Sequence, residues 1–192
     1  MKACVLLGNT RKKSITEATV KLFTDELTAR DVKVKTFALR EKNIQTCVGC
    51  DSCHSDMNSF GCVIKDDMLE ISEEIMLSDL VVFSSPIYTW FATPPLKAVM
   101  DRLYAFAKFS ETINMFNLMK KQHFALIATS GDECASNCDL LAEAISRLAK
   151  FAKRPYLGYF AAQDKGYENV NRKEVMDGAR AFAEKCVADL KQ

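Results

Sequence analysis

The segment from Leu80 to Arg102, LVVFSSPIYTWFATPPLKAVMDR, constrains the fold of this chain more than any other. Leu80, Val81, Val82 and Phe83 form an apolar run without alternation, the pattern of a parallel strand covered on both faces. The run ends in Ser84-Ser85-Pro86, and past the loop Thr93 stands where a cap belongs, with Pro94 in the first helical position. Leu96, Val99, Met100 and Leu103 then recur at helical spacing. Strand, loop and helix in that order are the unit of an α/β fold.

The loop of this unit, Pro86-Ile87-Tyr88-Thr89-Trp90-Phe91, carries three aromatics on a proline-stiffened backbone. Open α/β sheets bind ligands at the carboxyl ends of their strands, and the rings offer stacking faces to a flat aromatic molecule. The competing reading is that they cover the end of the core. Lys97 and Asp101, four apart on the helix, fit a surface ion pair.

Four more such runs follow the same logic. Ala3 to Leu7 is apolar and leads into Gly8-Asn9-Thr10-Arg11-Lys12-Lys13-Ser14-Ile15-Thr16. Ser14 and Glu17 make a capping box, and Ile15, Ala18, Leu22 and Leu27 stripe a helix running to about Arg30. The free amides and dipole at its start make the hydroxyl-rich, basic turn an anion site, against the alternative of a solvated basic turn. A Walker A loop is excluded because Lys12 precedes Lys13-Ser14 where glycine is required, and G-x-G-x-x-G is absent. Val32 to Phe37 alternates like a strand near a sheet edge, and Ala38 to Thr46 reads as loop. Asp66 or Asp67 caps a helix that turns Met68, Ile71, Ile75 and Met76 inward. His123 to Ala128 is a fourth strand ending in Thr129-Ser130-Gly131, and His123 at its start reads as structural. Leu141 to Phe151 stripe a helix, Pro155 to Ala162 is a fifth strand, and Asn171 is placed to cap a last helix with Val175, Phe182 and Leu190 on its buried side. The stretch from Leu103 to Lys120, with Met115, Phe116, Leu118 and Met119, is more apolar than a connection requires; it reads as a dimer surface, a ligand lid, or local packing.

Cys47, Cys50 and Cys53 stand at spacing three, with Cys62 following Gly61. Four such thiols suit an iron–sulfur cluster, a zinc site, or a metal-free loop of reactive thiols. His54, inside this loop, reads as exposed. The other cysteines, Cys4, Cys134, Cys138 and Cys186, are scattered, so the eight together suit a reducing compartment rather than a disulfide framework. A net charge of +1 supplies no field for nucleic acid or an acidic membrane, and no apolar run approaches the roughly 20 residues of a membrane span. A cytoplasmic protein with one domain, residues 1–192, is the expectation.

Ser85-Pro86-Ile87-Tyr88-Thr89-Trp90, followed by Pro94-Pro95-Leu96-Lys97 and Asp101-Arg102, resembles the isoalloxazine loop and following helix of flavodoxin-like NAD(P)H-dependent FMN reductases and iron–sulfur flavoproteins. The first loop is similar to that family's phosphate loop, with Asn9 for serine, Thr10 for proline and Ile15 for asparagine, while Arg11, Ser14 and Thr16 keep matching chemistry. The resemblance implies an α/β, flavodoxin-like, doubly wound parallel sheet of five strands in order 2-1-3-4-5, as a three-layer sandwich. In that order the ends of strands one, three and four share one rim. It implies FMN held by Asn9, Thr10, Arg11, Ser14, Ile15 and Thr16 at the phosphate, by Pro86, Ile87, Tyr88, Thr89 and Trp90 at the ring, and by backbone groups of Thr129, Ser130 and Gly131 at the pyrimidine edge. The expected activity is hydride transfer from NAD(P)H to flavin and on to free flavin, a quinone or a protein acceptor, in a homodimer or higher oligomer, with no catalytic acid or base. The alternatives are an iron–sulfur flavoprotein with a [4Fe–4S] cluster on Cys47, Cys50, Cys53 and Cys62, and a flavin-binding or thiol-sensing module without turnover.

Overall fold

The computed structural model of the chain describes residues 1–109 and 116–191. In chain order the elements are β1 (Lys2–Leu7), α1 (Ile15–Thr28), β2 (Lys33–Ala38), α2 (Met68–Leu77), β3 (Leu80–Pro86), α3 (Pro94–Arg102), β4 (Ala107–Lys108), β5 (Phe116–Asn117), β6 (His123–Ser130), α4 (Cys134–Asn137), α5 (Asp139–Ala152), β7 (Tyr156–Gln163) and α6 (Lys173–Asp189). β1, β2, β3, β6 and β7 form a parallel five-stranded sheet in the order β2-β1-β3-β6-β7. The expected order 2-1-3-4-5 is corrected by the antiparallel ribbon β4–β5, which stands apart from the sheet and moves the numbering of the strands after β3.

The central strands β1, β3 and β6 are buried on both faces, which is why their runs do not alternate, whereas the edge strand β2 is largely exposed or half-buried. Cys4, Leu6, Val81, Phe83, Phe124 and Leu126 point to one face, where α2, α3 and α5 bring Ile71, Leu96, Val99 and Ile145. Ala3, Val5, Leu80, Val82, Ala125 and Ile127 point to the other, where α1 and α6 bring Phe23, Leu27, Phe182 and Cys186. Phe23 and Phe182 meet with ring centroids 5.6 Å apart and join the two helices of that layer.

Several boundaries differ from the sequence reading. α1 ends at Thr28, two residues short of Arg30. β6 and β7 run on to Ser130 and Gln163, because Thr129 pairs with Ala162 and Ser130 with Gln163. α6 begins at Lys173 with Arg172, not Asn171, in the cap position. The reason is tertiary: the Arg172 guanidinium donates to Gln163 O at 2.7 Å and pairs with Glu174 of the first turn. The 38–46 segment contains a short 3₁₀ turn, Leu39–Glu41. Asp67 precedes α2 without a side-chain capping bond; its carboxylate accepts from Asn43 N at 2.8 Å, while Asp66 accepts from Met68 N at 3.1 Å. The dimer-or-lid reading rests partly on Met115, which lies outside the described residues, whereas Met119 is buried and Leu118 packs on the core. Among the described residues no helix is long and apolar enough to cross a membrane.

Candidate functional site

The loops after β1, β3 and β6 are tied together by their backbones. Gly8 N donates to Ser84 O at 2.7 Å and Ile87 N to Thr129 O at 2.7 Å, so the ladder runs a step beyond the strands. A Cβ at Gly8 would lie 2.8 Å from both Leu96 Cβ and Ser84 O, so only glycine lets the first loop settle against α3. Thr93, expected to cap α3, makes no side-chain capping bond; its hydroxyl donates to Gly8 O at 2.5 Å and its N–H to Ser85 Oγ at 3.0 Å.

The three loops enclose a cleft of about 200 Å³. Asn9, Thr10, Arg11, Ser14 and Thr16 line it from the first loop, Pro86, Ile87 and Tyr88 from the second, and Thr129, Ser130 and Gly131 from the third. Thr89 and Trp90 line an adjoining recess that shares Ile87, Ser130 and Gly131. Ile15 lines neither, being buried in the core at 1% exposure. Asp164 belongs to the cleft and was not among the sequence candidates. Its N–H donates to Ser130 O at 2.7 Å, which draws the chain after β7 onto the rim. The polar run Gln163-Asp164-Lys165-Gly166 directly after a strand is the signal that marks it.

Within the cleft the side chains divide into those already engaged and those free to bind. Asn9 is fully buried; its amide donates to Arg11 O at 2.6 Å and Ser14 Oγ at 3.0 Å, and its carbonyl accepts from Arg40 at 3.0 Å. It is a scaffold for the turn. Ser14 Oγ also accepts from Glu17 N at 3.2 Å as the N-cap of α1, so with two bonds accepted its proton remains to be donated. The capping box is displaced by one residue, since Glu17 accepts from Lys13 N at 3.1 Å. Thr16 and Thr129 share a buried bond of 2.6 Å that locks the first loop to the third. Arg11 reaches Asp164 at 3.4 Å, and Thr10 Oγ1 lies 2.9 Å from Tyr88 OH across the mouth.

The aromatic loop folds back on itself. Tyr88 N donates to Phe91 O at 2.9 Å and Phe91 N to Tyr88 O at 3.0 Å, leaving Thr89 (φ 49°) and Trp90 (φ 59°) as a two-residue turn. Such a turn ordinarily takes asparagine and glycine, and a β-branched threonine at positive φ stores strain. Tyr88 and Trp90 are 46% and 54% exposed, whereas Phe91 packs on the core. Two of the three rings are therefore presented at the rim and one closes the core.

The four loop cysteines line a second cleft of about 110 Å³, together with Arg102 and Tyr104. Gly61 has φ 69° and a Cβ there would lie 2.9 Å from Cys53 O, so glycine is what lets Cys62 return beside Cys53. Hydrogen bonds from the Ser52 side chain and backbone hold the Cys50 thiol below the usual range, and burial raises that of Cys53. Among the described residues no three His, Cys, Asp or Glu side chains converge closely enough to hold a metal ion, and Cys47 and Cys50 are exposed. The donor chemistry suits a thiolate-bound metal, but the thiols are not assembled around one. His54 is not exposed as expected: its ring stacks edge-on against Tyr104 at 4.8 Å and Phe109 at 5.2 Å, with both nitrogens buried. The Lys97–Asp101 pair is present at 2.5 Å on the surface of α3.

Residues 1–152 match the model of the NADPH-dependent FMN reductase family. The chain belongs to this family. Among its curated relatives, an iron–sulfur flavoprotein of Methanocaldococcus jannaschii is 35% identical over 41% of this chain and 39% of its own, and one of Archaeoglobus fulgidus is 35% identical over 51% and 48%. The matches thus span less than half the length of these relatives. Of solved structures, RosB with a bound formylriboflavin phosphate superposes with TM-score 0.78 at 11% identity, covering 100% of this chain and 79% of that one. An FMN-dependent NADH-azoreductase of Bacillus anthracis in complex with FMN gives 0.68 at 15% identity, covering 100% and 99%. At these identities the structural likeness speaks for the flavodoxin-like fold.

Proposed function

We propose that this chain binds FMN in the cleft of the three loops and acts as a NAD(P)H-dependent oxidoreductase. The single observation that carries the reading is the convergence of a helix N-terminus bearing Arg11 and a free Ser14 hydroxyl, an exposed aromatic turn, and the polar end of β6 in one cleft. An anion is favoured at the start of α1 by its free amides, dipole and the Arg11 guanidinium. Tyr88 and Trp90 supply faces for a planar ring, and Thr129, Ser130 and Gly131 line the cleft from the third loop. Bound FMN would supply the hydride chemistry between a reduced nicotinamide and a second acceptor such as a quinone or free flavin. The protein's part is to bind and orient, so no general acid or base is assigned.

A second reading is that Cys47, Cys50, Cys53 and Cys62 hold an iron–sulfur cluster; it is favoured by the separate cleft that all four line and by the relatives named iron–sulfur flavoproteins. Reconstitution with FMN followed by NADH or NADPH oxidation in the presence of a quinone tests the leading reading. Stoichiometric binding with steady turnover supports it, and binding without oxidation of either nucleotide would reduce the chain to a flavin-binding module.

A further inference from the structure

Arg40, in the 3₁₀ turn after β2, does not line the three-loop cleft, yet it holds the turn that does. Its side chain is 13% exposed and its two terminal nitrogens are divided: Nη1 donates to Asn9 Oδ1 at 3.0 Å and Nη2 to Glu17 Oε1 at 2.9 Å. A guanidinium has donors only, so the oxygen of the fully buried Asn9 amide must face Arg40 and its nitrogen must face the turn. That nitrogen donates to Arg11 O at 2.6 Å and to Ser14 Oγ at 3.0 Å. Ser14 Oγ also accepts from Glu17 N, so both of its acceptor positions are filled and its hydroxyl can only donate. The second arm acts in parallel, because Glu17 Oε2 accepts from Lys13 N at 3.1 Å, where the backbone is left-handed with φ 52°. Through Asn9 and Glu17 one arginine thus reaches the turn at Arg11, Lys13 and Ser14. Its own charge is met by Glu17 and by Glu41 at 3.1 Å, so it adds little field of its own to the cleft.

We propose that Arg40 is the positioning residue of the phosphate turn: by fixing which end of the Asn9 amide faces Ser14, it makes the Ser14 hydroxyl an obligate donor to an acceptor-only anion, the phosphate monoester of the flavin. The inference rests on the FMN reading above and adds to it a residue that touches neither the ring nor the phosphate. A phosphate dianion presents oxygen acceptors and no donor, so a hydroxyl held as a donor matches it, whereas a hydroxyl that donates elsewhere turns a lone pair toward negative charge. Without Arg40 the Asn9 amide is free to turn its oxygen to Ser14, the hydroxyl gives its proton there, and the turn loses its match to phosphate. The ring end of the site, at Tyr88 and Trp90, is built by another loop. The effect is therefore confined to ligands that carry the phosphate, and it arises from orientation rather than from charge.

The test measures binding of FMN, and of riboflavin, which lacks the phosphate, to the full chain and to Arg40→Met, Asn9→Ala and the double variant, at ionic strengths of about 0.05 M and 0.5 M. Arg40→Met should weaken FMN about 5–20-fold, the scale of one or two hydrogen bonds, and leave riboflavin within about twofold of the parent. In the Asn9→Ala background the same change should cost no more than about twofold, because the route through the amide is already gone. The ratio between parent and Arg40→Met should persist at high salt, which screens charge and not orientation. Riboflavin binding serves as the check on folding; if Arg40→Met does not fold, Arg40→Gln, too short to span both partners, carries the same comparison. The proposal is overturned if Arg40→Met binds FMN as the parent does, if FMN and riboflavin weaken equally, or if the two substitutions are additive. It is also overturned if the loss vanishes at high salt, which would assign it to the uncovered charge of Glu17. A parent that binds no FMN would remove the flavin reading itself, whereas an unaltered Arg40→Met in a parent that binds FMN removes this inference alone.

Discussion

Arg11 is 72% exposed at its side chain and shares a 3.4 Å contact with Asp164, so its charge is only weakly engaged in the absence of a ligand. Replacing it with alanine should weaken FMN about 5–10-fold, the scale of one exposed charge-assisted bond to phosphate, without changing the melting temperature. Asp164→Asn should act oppositely and tighten FMN by a factor of about two, since it frees the guanidinium from a competing carboxylate. Trp90 is the chain's only tryptophan, so its fluorescence reports both titrations directly. The same indole sits on a strained turn, and Thr89→Gly should raise stability by up to about 1 kcal/mol in thermal unfolding while loosening the ring. Unchanged stability in that variant would mean the turn carries no strain. Much at this scale was legible: Arg11, Ser14 and Thr16 follow from a helix start after a buried strand. Asn9 shows the limit, because its position in the loop is readable but its commitment to Arg40, 31 residues away, depends on tertiary contacts.

The elements around the site are fastened by buried polar groups as much as by apolar packing. Asp66, before α2, accepts from Arg102 at the end of α3 and from the amides of Gln45 and Met68. Burial alone would raise its pKa, but these bonds outweigh it and hold the carboxyl below the usual range. A carboxylate whose folded pKa is depressed contributes stability that is complete above its unfolded pKa of about 3.9 and lost as pH falls through the lower folded value. Acid unfolding should accordingly show a loss of stability below about pH 4, and Asp66→Asn should be less stable at neutral pH by about 3–5 kcal/mol, the scale expected when a buried arginine loses its partner, with a flatter acid limb. An unaltered pH profile in the variant would contradict this role. The aspartates were recognised in the sequence only as helix caps, because a cap is a local pattern and a bond from Asp66 to Arg102 is not. The β4–β5 ribbon escaped for a similar reason: two residues a side are too short for any period to register.

At the scale of the whole molecule, the five-stranded sheet was recoverable because its central strands β1, β3 and β6 are buried on both faces and read as unbroken apolar runs, while the edge strand β2 shows itself by alternation. The rim site follows from that topology, since adjacent β1, β3 and β6 bring together loops separated by more than 70 residues, as Thr10 and Tyr88 demonstrate. What sequence left open was whether the aromatic loop and the cysteine loop are sites or coverings. Exposure of Tyr88 and Trp90 favours the former for the aromatic loop. The most direct test of the account is a crystal structure of the protein saturated with FMN. It should place the phosphate at the Arg11–Thr16 turn and the ring against Tyr88 and Trp90, with the Thr10–Tyr88 bond opened. An empty cleft, or FMN bound elsewhere on the molecule, would contradict it.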